Sequence, residues 1–298
     1  MCIRDSSNMI VWQDRRSESI CEELSEHAEH IGAKTGLVLD PYFSAPKQAW
    51  IRRNITTEGV VTTSDTWLLH QLTGEFVTDA STASRSLVVD VDEVKWDLEL
   101  LDLFGLAGEQ LPYILPCDEI AGATTVFGGT ARVGGLIVDQ QAALVAQRCL
   151  SPGEAKCTFG TGAFLLANTG DQAVRSTANL STSVAWQEHG NTTYCLDSQV
   201  YTAASAVRWL EQLTFIDTAA DLDRVAADDS QGVMCVPALA GLAAPWWRSD
   251  ATATFTGMTL STGSPHLVRA VLEGIAAQVA ELARCMATVS YTHLRAHE

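Results

Sequence analysis

The chain has 298 residues, 47% hydrophobic and 18% charged, with a formal net charge of −17. That composition supports a packed core spread over about two domains and argues against global disorder. The acidity speaks against a nucleic-acid partner, which needs clustered Lys and Arg, and no apolar run reaches the roughly 18–20 residues that span a bilayer.

Eight cysteines include no C-x-x-C pair and sit mostly in apolar or helical stretches, which reads as reduced thiols in a cytoplasmic protein. Ser17 to Lys34 is expected as one helix, with Ser17 as N-cap and Ile20, Leu24, Ala28 and Ile31 on one face. Asp65 to Leu72 is expected as a second helix stopped by Gly74, and Asp97 to Phe104 as a third followed by Gly105. Gly135-Leu-Ile-Val138 reads as a short strand ending at Asp139, with Gln140 to Cys149 helical after it. Ser151-Pro-Gly153 is the expected domain boundary.

Beyond that boundary Ala155 to Phe159 and Ala163 to Asn168 read as strands around Gly160-Thr161-Gly162. Ser183 to Trp186 and Thr193 to Asp197 suggest a hairpin, Tyr201 to Leu213 a helix and Gly232 to Val236 a buried strand. Pro265 to Met286 reads as a long helix with Pro265 near its first position. Strands alternating with helices give an α/β fold class.

Three features carry chemistry, each with a plainer alternative. The Thr158-Phe-Gly-Thr-Gly162 turn can bring backbone N–H groups and a hydroxyl to an anion, or it can be an ordinary glycine turn. Asp139 can accept a proton from an attacking hydroxyl, or cap the helix that follows it. Trp12-Gln-Asp-Arg-Arg16 and Asp40-Pro-Tyr-Phe-Ser44 can pack aromatic faces on a polyol, or belong to the core. Trp246-Trp247 carries the same ambiguity, with packing favoured.

Several segments occur in one order: Ile10-Val-Trp-Gln-Asp-Arg-Arg16, Thr35-Gly-Leu-Val-Leu-Asp-Pro-Tyr-Phe-Ser44, then Lys47 and Trp50. Asp65-Thr-Trp-Leu68, Leu72-Thr-Gly74, Val77-Thr-Asp79 and Ala83-Ser-Arg85 follow. Asp139-Gln-Gln-Ala-Ala-Leu144, Phe159-Gly-Thr-Gly162, Pro237-Ala238, Gly241-Leu242, Ala244-Pro245 and the helix with Arg269 and Glu273 complete the set. From about residue 8 to 287 the ordered set resembles the FGGY carbohydrate kinases, most closely those acting on glycerol.

The resemblance implies an actin-like ATPase fold, with parts of two ribonuclease-H-like domains around a cleft. It implies phosphorylation of glycerol to glycerol 3-phosphate by ATP with Mg²⁺. Asp139 would be the general base, and Trp12, Tyr42, Asp139, Gln140 and Phe164 would line the polyol pocket. Gly160, Thr161, Gly162, Ala204 and Arg208 would lie at the nucleotide. No dedicated metal ligands, nucleic-acid partner or membrane span are implied, and a homo-oligomer is compatible with the resemblance. A kinase for another polyol or a sugar, or a non-catalytic binding protein on the same fold, are the competing readings.

The chain departs from the glycerol-acting pattern at Val138 and Ala204, where glycine is usual, at Phe159, where tyrosine is usual, and at Arg208, where glutamine is usual. Arg208 would pair well with phosphate oxygens. The family's Asp-x-Gly-Thr loop, Asn-Gln-Arg-Glu segment and Gly-Gly adenosine motif do not occur. The chain is therefore expected to be the middle of such a kinase and inactive by itself. Residues 8–150 would be the C-terminal part of the first domain and 151–287 the N-terminal part of the second, with 1–7 and 288–298 as non-native ends.

Overall fold

The computed structural model describes residues 9–294, and side-chain environments as far as residue 288. The expectations for residues 1–7 and 295–298 lie outside the described residues. Packing divides the chain into two units. The first holds residues up to Glu154 together with Asn168–Ser176 and Ser181–Leu196; the second holds Ala155–Ala167, Thr177–Leu180 and residues from Asp197 onward.

In the first unit the expected helix from Ser17 to Lys34 is broken. It runs as α1 (Glu18–Glu23), a 3₁₀ turn at Ser25–His27 and α2 (Ala28–Thr35). One tightened turn keeps the apolar residues on a shared side, so Ile20 and Ile31 are both buried and the spacing alone does not betray the break. Ser17 occupies the N-cap position but its side chain makes no capping bond.

Helix α3 (Ser44–Asn54) has no expectation from the sequence. Pro46 is the third helical residue, where an N–H has no intrahelical partner to lose. Helix α4 (Ser64–Thr73) ends at Gly74 in the left-handed conformation. Strand β1 (Val77–Asp79) runs straight into the single turn α5 (Ala80–Ala83). β2 (Val89–Asp90) pairs antiparallel with β3 (Lys95–Trp96). The carboxylate of Asp97 then caps α6 (Leu98–Leu103) by accepting the N–H groups of Glu99 and Leu100.

β4 (Tyr113–Leu115) lies parallel to β1, and β5 (Gly122–Thr124) forms an antiparallel pair with β6 (Ala131–Val133). Leu69, Val77, Leu115 and Ala121 bury together, with Val133 and Leu136 packed on them. That cluster anchors the segment leading into α7 (Asp139–Ala146).

β7 (Ala155–Phe159), β8 (Ala163–Gly170), β9 (Ser181–Glu188) and β10 (Asn191–Val200) form a sheet in the order β7-β8-β10-β9. The expected pair at Ser183–Trp186 and Thr193–Asp197 forms adjacent strands joined through His189 and Gly190. Both of these residues have positive φ (50° and 80°), as a two-residue hairpin turn requires.

In the second unit β10 leads to α8 (Ala204–Gln212), and α9 (Leu222–Val225) follows. β11 (Met234–Val236) pairs antiparallel with β12 (Thr254–Thr256) and packs on the long helix α10 (Ser264–Leu294). The expected buried strand at Gly232–Val236 is buried on one face only: Cys235 points inward while Met234 and Val236 are exposed. Trp246, expected to pack, is also exposed, whereas Trp247 Nε1 donates to the Asn179 carbonyl at 2.8 Å.

Candidate active site

In the first unit the approach to Asp139 is not the strand expected at Gly135–Val138. The segment is extended but joins no ladder. Its amides go elsewhere: Leu136 N–H donates to the Cys117 carbonyl and Val138 N–H to Ser81 Oγ, both at 3.0 Å. An apolar β-branched run thus satisfies its backbone through a loop carbonyl and a side chain, which periodicity cannot distinguish from a sheet partner.

Val138 takes the N-cap position and Asp139 is the first helical residue. The capping reading of Asp139 therefore fails. Its exposed carboxylate instead accepts Gln140 N–H at Oδ1 (2.8 Å) and Gln140 Nε2 at Oδ2 (3.3 Å). A negative charge in the first turn is also favoured by the helix dipole.

Asp79 is buried and caps α5. It accepts Ser81 N–H at 2.7 Å, Thr82 N–H at 3.2 Å and Thr82 Oγ1 at 2.6 Å, as well as the Ser81 hydroxyl. Burial pushes the Asp79 carboxyl above its ordinary value, against the pull of these donors.

Trp12 and Tyr42 meet edge to face, with ring centres 5.6 Å apart, and both are half-buried. Arg85 lies over the Tyr42 ring at 5.4 Å and its Nη2 donates to the Tyr42 hydroxyl at 2.9 Å. Asp40 Oδ1 accepts Tyr42 N–H at 2.8 Å, and the buried Lys47 donates Nζ to the Pro41 carbonyl. Burial brings the Lys47 ammonium down to about 8, although Asp40 and Asp14 pull the other way. Asp14 is held by Arg16, with Nη2 2.6 Å from Oδ2, and this bonding keeps its carboxyl below the ordinary value. Phe43, next to Tyr42, is a core residue.

In the second unit β7 and β8 pair with Thr158 opposite Phe164, which is half-buried. The Gly160–Gly162 turn docks on the start of α8: Ala203 N–H donates to the Thr161 carbonyl and Ala204 N–H to the Gly160 carbonyl, both at 2.9 Å. The Ser205 hydroxyl donates to the Thr161 carbonyl as well, at 2.9 Å. Gly160, Thr161, Gly162 and Ala204 are thus one cluster, with Arg208 exposed one helical turn further along. The turn's carbonyls occupy the first amides of α8, so this helix start is not an open anion site of the usual kind.

The sequence reasoning gave no role to Arg85, Lys47, Asp79 or Ser81. Arg85, Asp79 and Lys47 do lie among the quoted motif residues, and an arginine directly after the small-residue run Ala80–Ser84 was the available signal.

The chain has the α/β organisation of the actin-like ATPase fold of sugar kinases. The model of the FGGY carbohydrate kinase N-terminal domain matches residues 5–145, and that of the C-terminal domain matches residues 155–295. The chain belongs to the FGGY family of carbohydrate kinases.

It is 44% identical to a glycerol kinase of Myxococcus xanthus, over 94% of this chain and 60% of that protein. It is 41% identical to one of Trichodesmium erythraeum, over 92% and 58%. The crystal structure of Plasmodium falciparum glycerol kinase with ADP superposes with a TM-score of 0.82 at 35% identity, covering 96% of this chain and 60% of that one. A xylulose kinase from Brucella ovis superposes at 0.80 with 25% identity, over 94% and 60%. The chain thus spans about 60% of the length of the relatives it matches. Among the described residues no helix is long and apolar enough to cross a membrane.

Proposed function

We propose that the whole protein transfers the γ-phosphoryl group of ATP to a hydroxyl of glycerol, giving glycerol 3-phosphate. The observation that carries this reading is the 44% identity to a glycerol kinase over 94% of the chain. Asp139 takes the proton of the attacking hydroxyl as its oxygen bonds to phosphorus and the bond to ADP breaks. Gln140 holds the carboxylate through its two donors. Trp12, Tyr42, Gln140 and Phe164 hold the polyol. Gly160, Thr161, Gly162, Ala204 and Arg208 face the nucleotide, with Arg208 pairing phosphate oxygens.

Mg²⁺ would neutralise charge on the phosphates. Such an ion keeps most of its shell from phosphate and water and takes one or two carboxylates from protein. We further propose that the 298-residue chain alone does not sustain turnover.

The test is ADP release by the whole protein against a panel of polyols and ketoses. Glycerol should give the highest kcat/KM. Preference for a pentulose would reassign the substrate within the family, and no ADP release with any hydroxyl compound would favour a binding role.

A further inference from the structure

Three buried serines join α5, β9 and the start of α7 into a closed ring. Ser81, Ser84 and Ser183 are each no more than 1% exposed. Ser81 Oγ accepts Val138 N–H at 3.0 Å, linking α5 to the residue that precedes Asp139. Ser84 Oγ accepts Val184 N–H at 3.0 Å, linking α5 to β9. Ser183 Oγ accepts Gln141 Nε2 at 3.1 Å, linking β9 back to α7 two residues beyond Asp139.

A hydroxyl has one proton to give, and two of these serines spend theirs inside the frame. Ser81 donates to Asp79, which leaves its lone pairs for Val138. Ser84 donates to the Ser81 carbonyl at 2.9 Å, which leaves its lone pairs for Val184. Ser183 shares a hydrogen bond with Cys195 at 3.5 Å. The Gln141 side chain is fully buried, so it reports on packing and not on solvent. Asp139, between the two attachment points, is exposed.

We propose that Ser81, Ser84, Ser183 and Gln141 are positioning residues that hold the Val138–Gln141 backbone, and so fix where the Asp139 carboxylate stands. The proposal rests on Asp139 being the base. None of the four touches the reacting atoms. Their effect is geometric, and displacement of a reacting group by about 1 Å can cost on the order of 10²-fold in rate.

Ser86 supplies a matched control. It is buried in the same segment and accepts one backbone amide, Val88 N–H at 3.3 Å, but belongs to no link toward α7. Ser81→Ala and Ser86→Ala in the 298-residue chain are compared by residue-resolved amide exchange. Ser81→Ala should speed exchange at Val138 by about tenfold or more, as expected for a partly buried amide losing its acceptor, while Ser86→Ala should leave Val138 unchanged. In the whole protein Ser81→Ala should lower kcat about tenfold with both KM values within about twofold, and Ser86→Ala should keep kcat within about twofold.

If Ser81→Ala does not fold, Ser183→Ala opens the other attachment and should give the same kcat loss. Equal Val138 exchange in both alanine variants, or equal kcat, overturns the proposal. A wild-type protein that releases no ADP with glycerol overturns the assignment of function instead, and the exchange comparison still decides whether the frame exists.

Discussion

A Cβ on Gly162 would stand 2.3 Å from the carbonyl oxygen of Val200, whereas one on Gly160 would find nothing nearer than 3.9 Å. Neither glycine has positive φ, so the two differ in surroundings and not in backbone strain. Gly162 is glycine because the sheet backbone presses on it. Gly160 has room that a bound group can use.

Gly162→Ala should therefore destabilise the chain, by about 1–3 kcal/mol or more as for other forced overpacking. Gly160→Ala should cost less than about 1 kcal/mol of stability and weaken ATP binding by the whole protein about tenfold. Urea unfolding and nucleotide titration read the two effects. Equal stability losses would remove the distinction.

Arg85 both stacks on Tyr42 and bonds its hydroxyl. Arg85→Met keeps the aliphatic stem but loses the charge and donors, so Tyr42 loses its brace. Glycerol KM should rise about threefold to tenfold, corresponding to about 0.7–1.4 kcal/mol, while ATP KM holds. Parallel rises in both constants, measured by ADP release, would place Arg85 in general packing.

Lys47 gives a pH signature. Burial lowers its folded value to about 8 from the ordinary 10.5, so between these two values the unfolded chain binds more protons. Its contribution to stability therefore rises with pH across that window and is lost as pH falls through about 8. Burial pushes the neighbouring Cys21 thiol up to about 12, which acts in the opposite direction above 9.0. The difference between wild type and Lys47→Met isolates the lysine. Wild-type stability should gain on the variant from pH 8 to 10.5, and a flat difference would contradict a buried, charge-disfavoured amine.

Elements with local punctuation were legible in the sequence. Gly74 ends α4 and Asp97 caps α6 where their chemistry indicates. The ordered motifs also identified the family, because each samples a different part of the chain. The failures have two sources, local geometry that spacing does not register and partners distant in sequence. The 3₁₀ turn at Ser25–His27 preserves the apolar side, so the break is invisible to spacing. Pro46 looks like a breaker but stands where the helix has no hydrogen bond to lose. The run before Asp139 finds its acceptors at Cys117 and Ser81, distant in sequence. For the same reason Ser81, Ser183 and Gln141 announce nothing in the sequence about one another. Gly162 reads equally as a phosphate-turn glycine or an ordinary turn glycine, and nothing in the sequence announces the Val200 carbonyl against it.

The central claim is that Asp139 acts as the base in phosphoryl transfer to glycerol, and the most direct measurement is kcat of the whole protein carrying Asp139→Asn. The substitution keeps the exposed first-turn position and removes the ability to take a proton. The account predicts a fall in kcat on the order of 10²–10⁴ with the fold intact and both substrates still bound. Wild-type turnover of glycerol by a folded Asp139→Asn variant would contradict it.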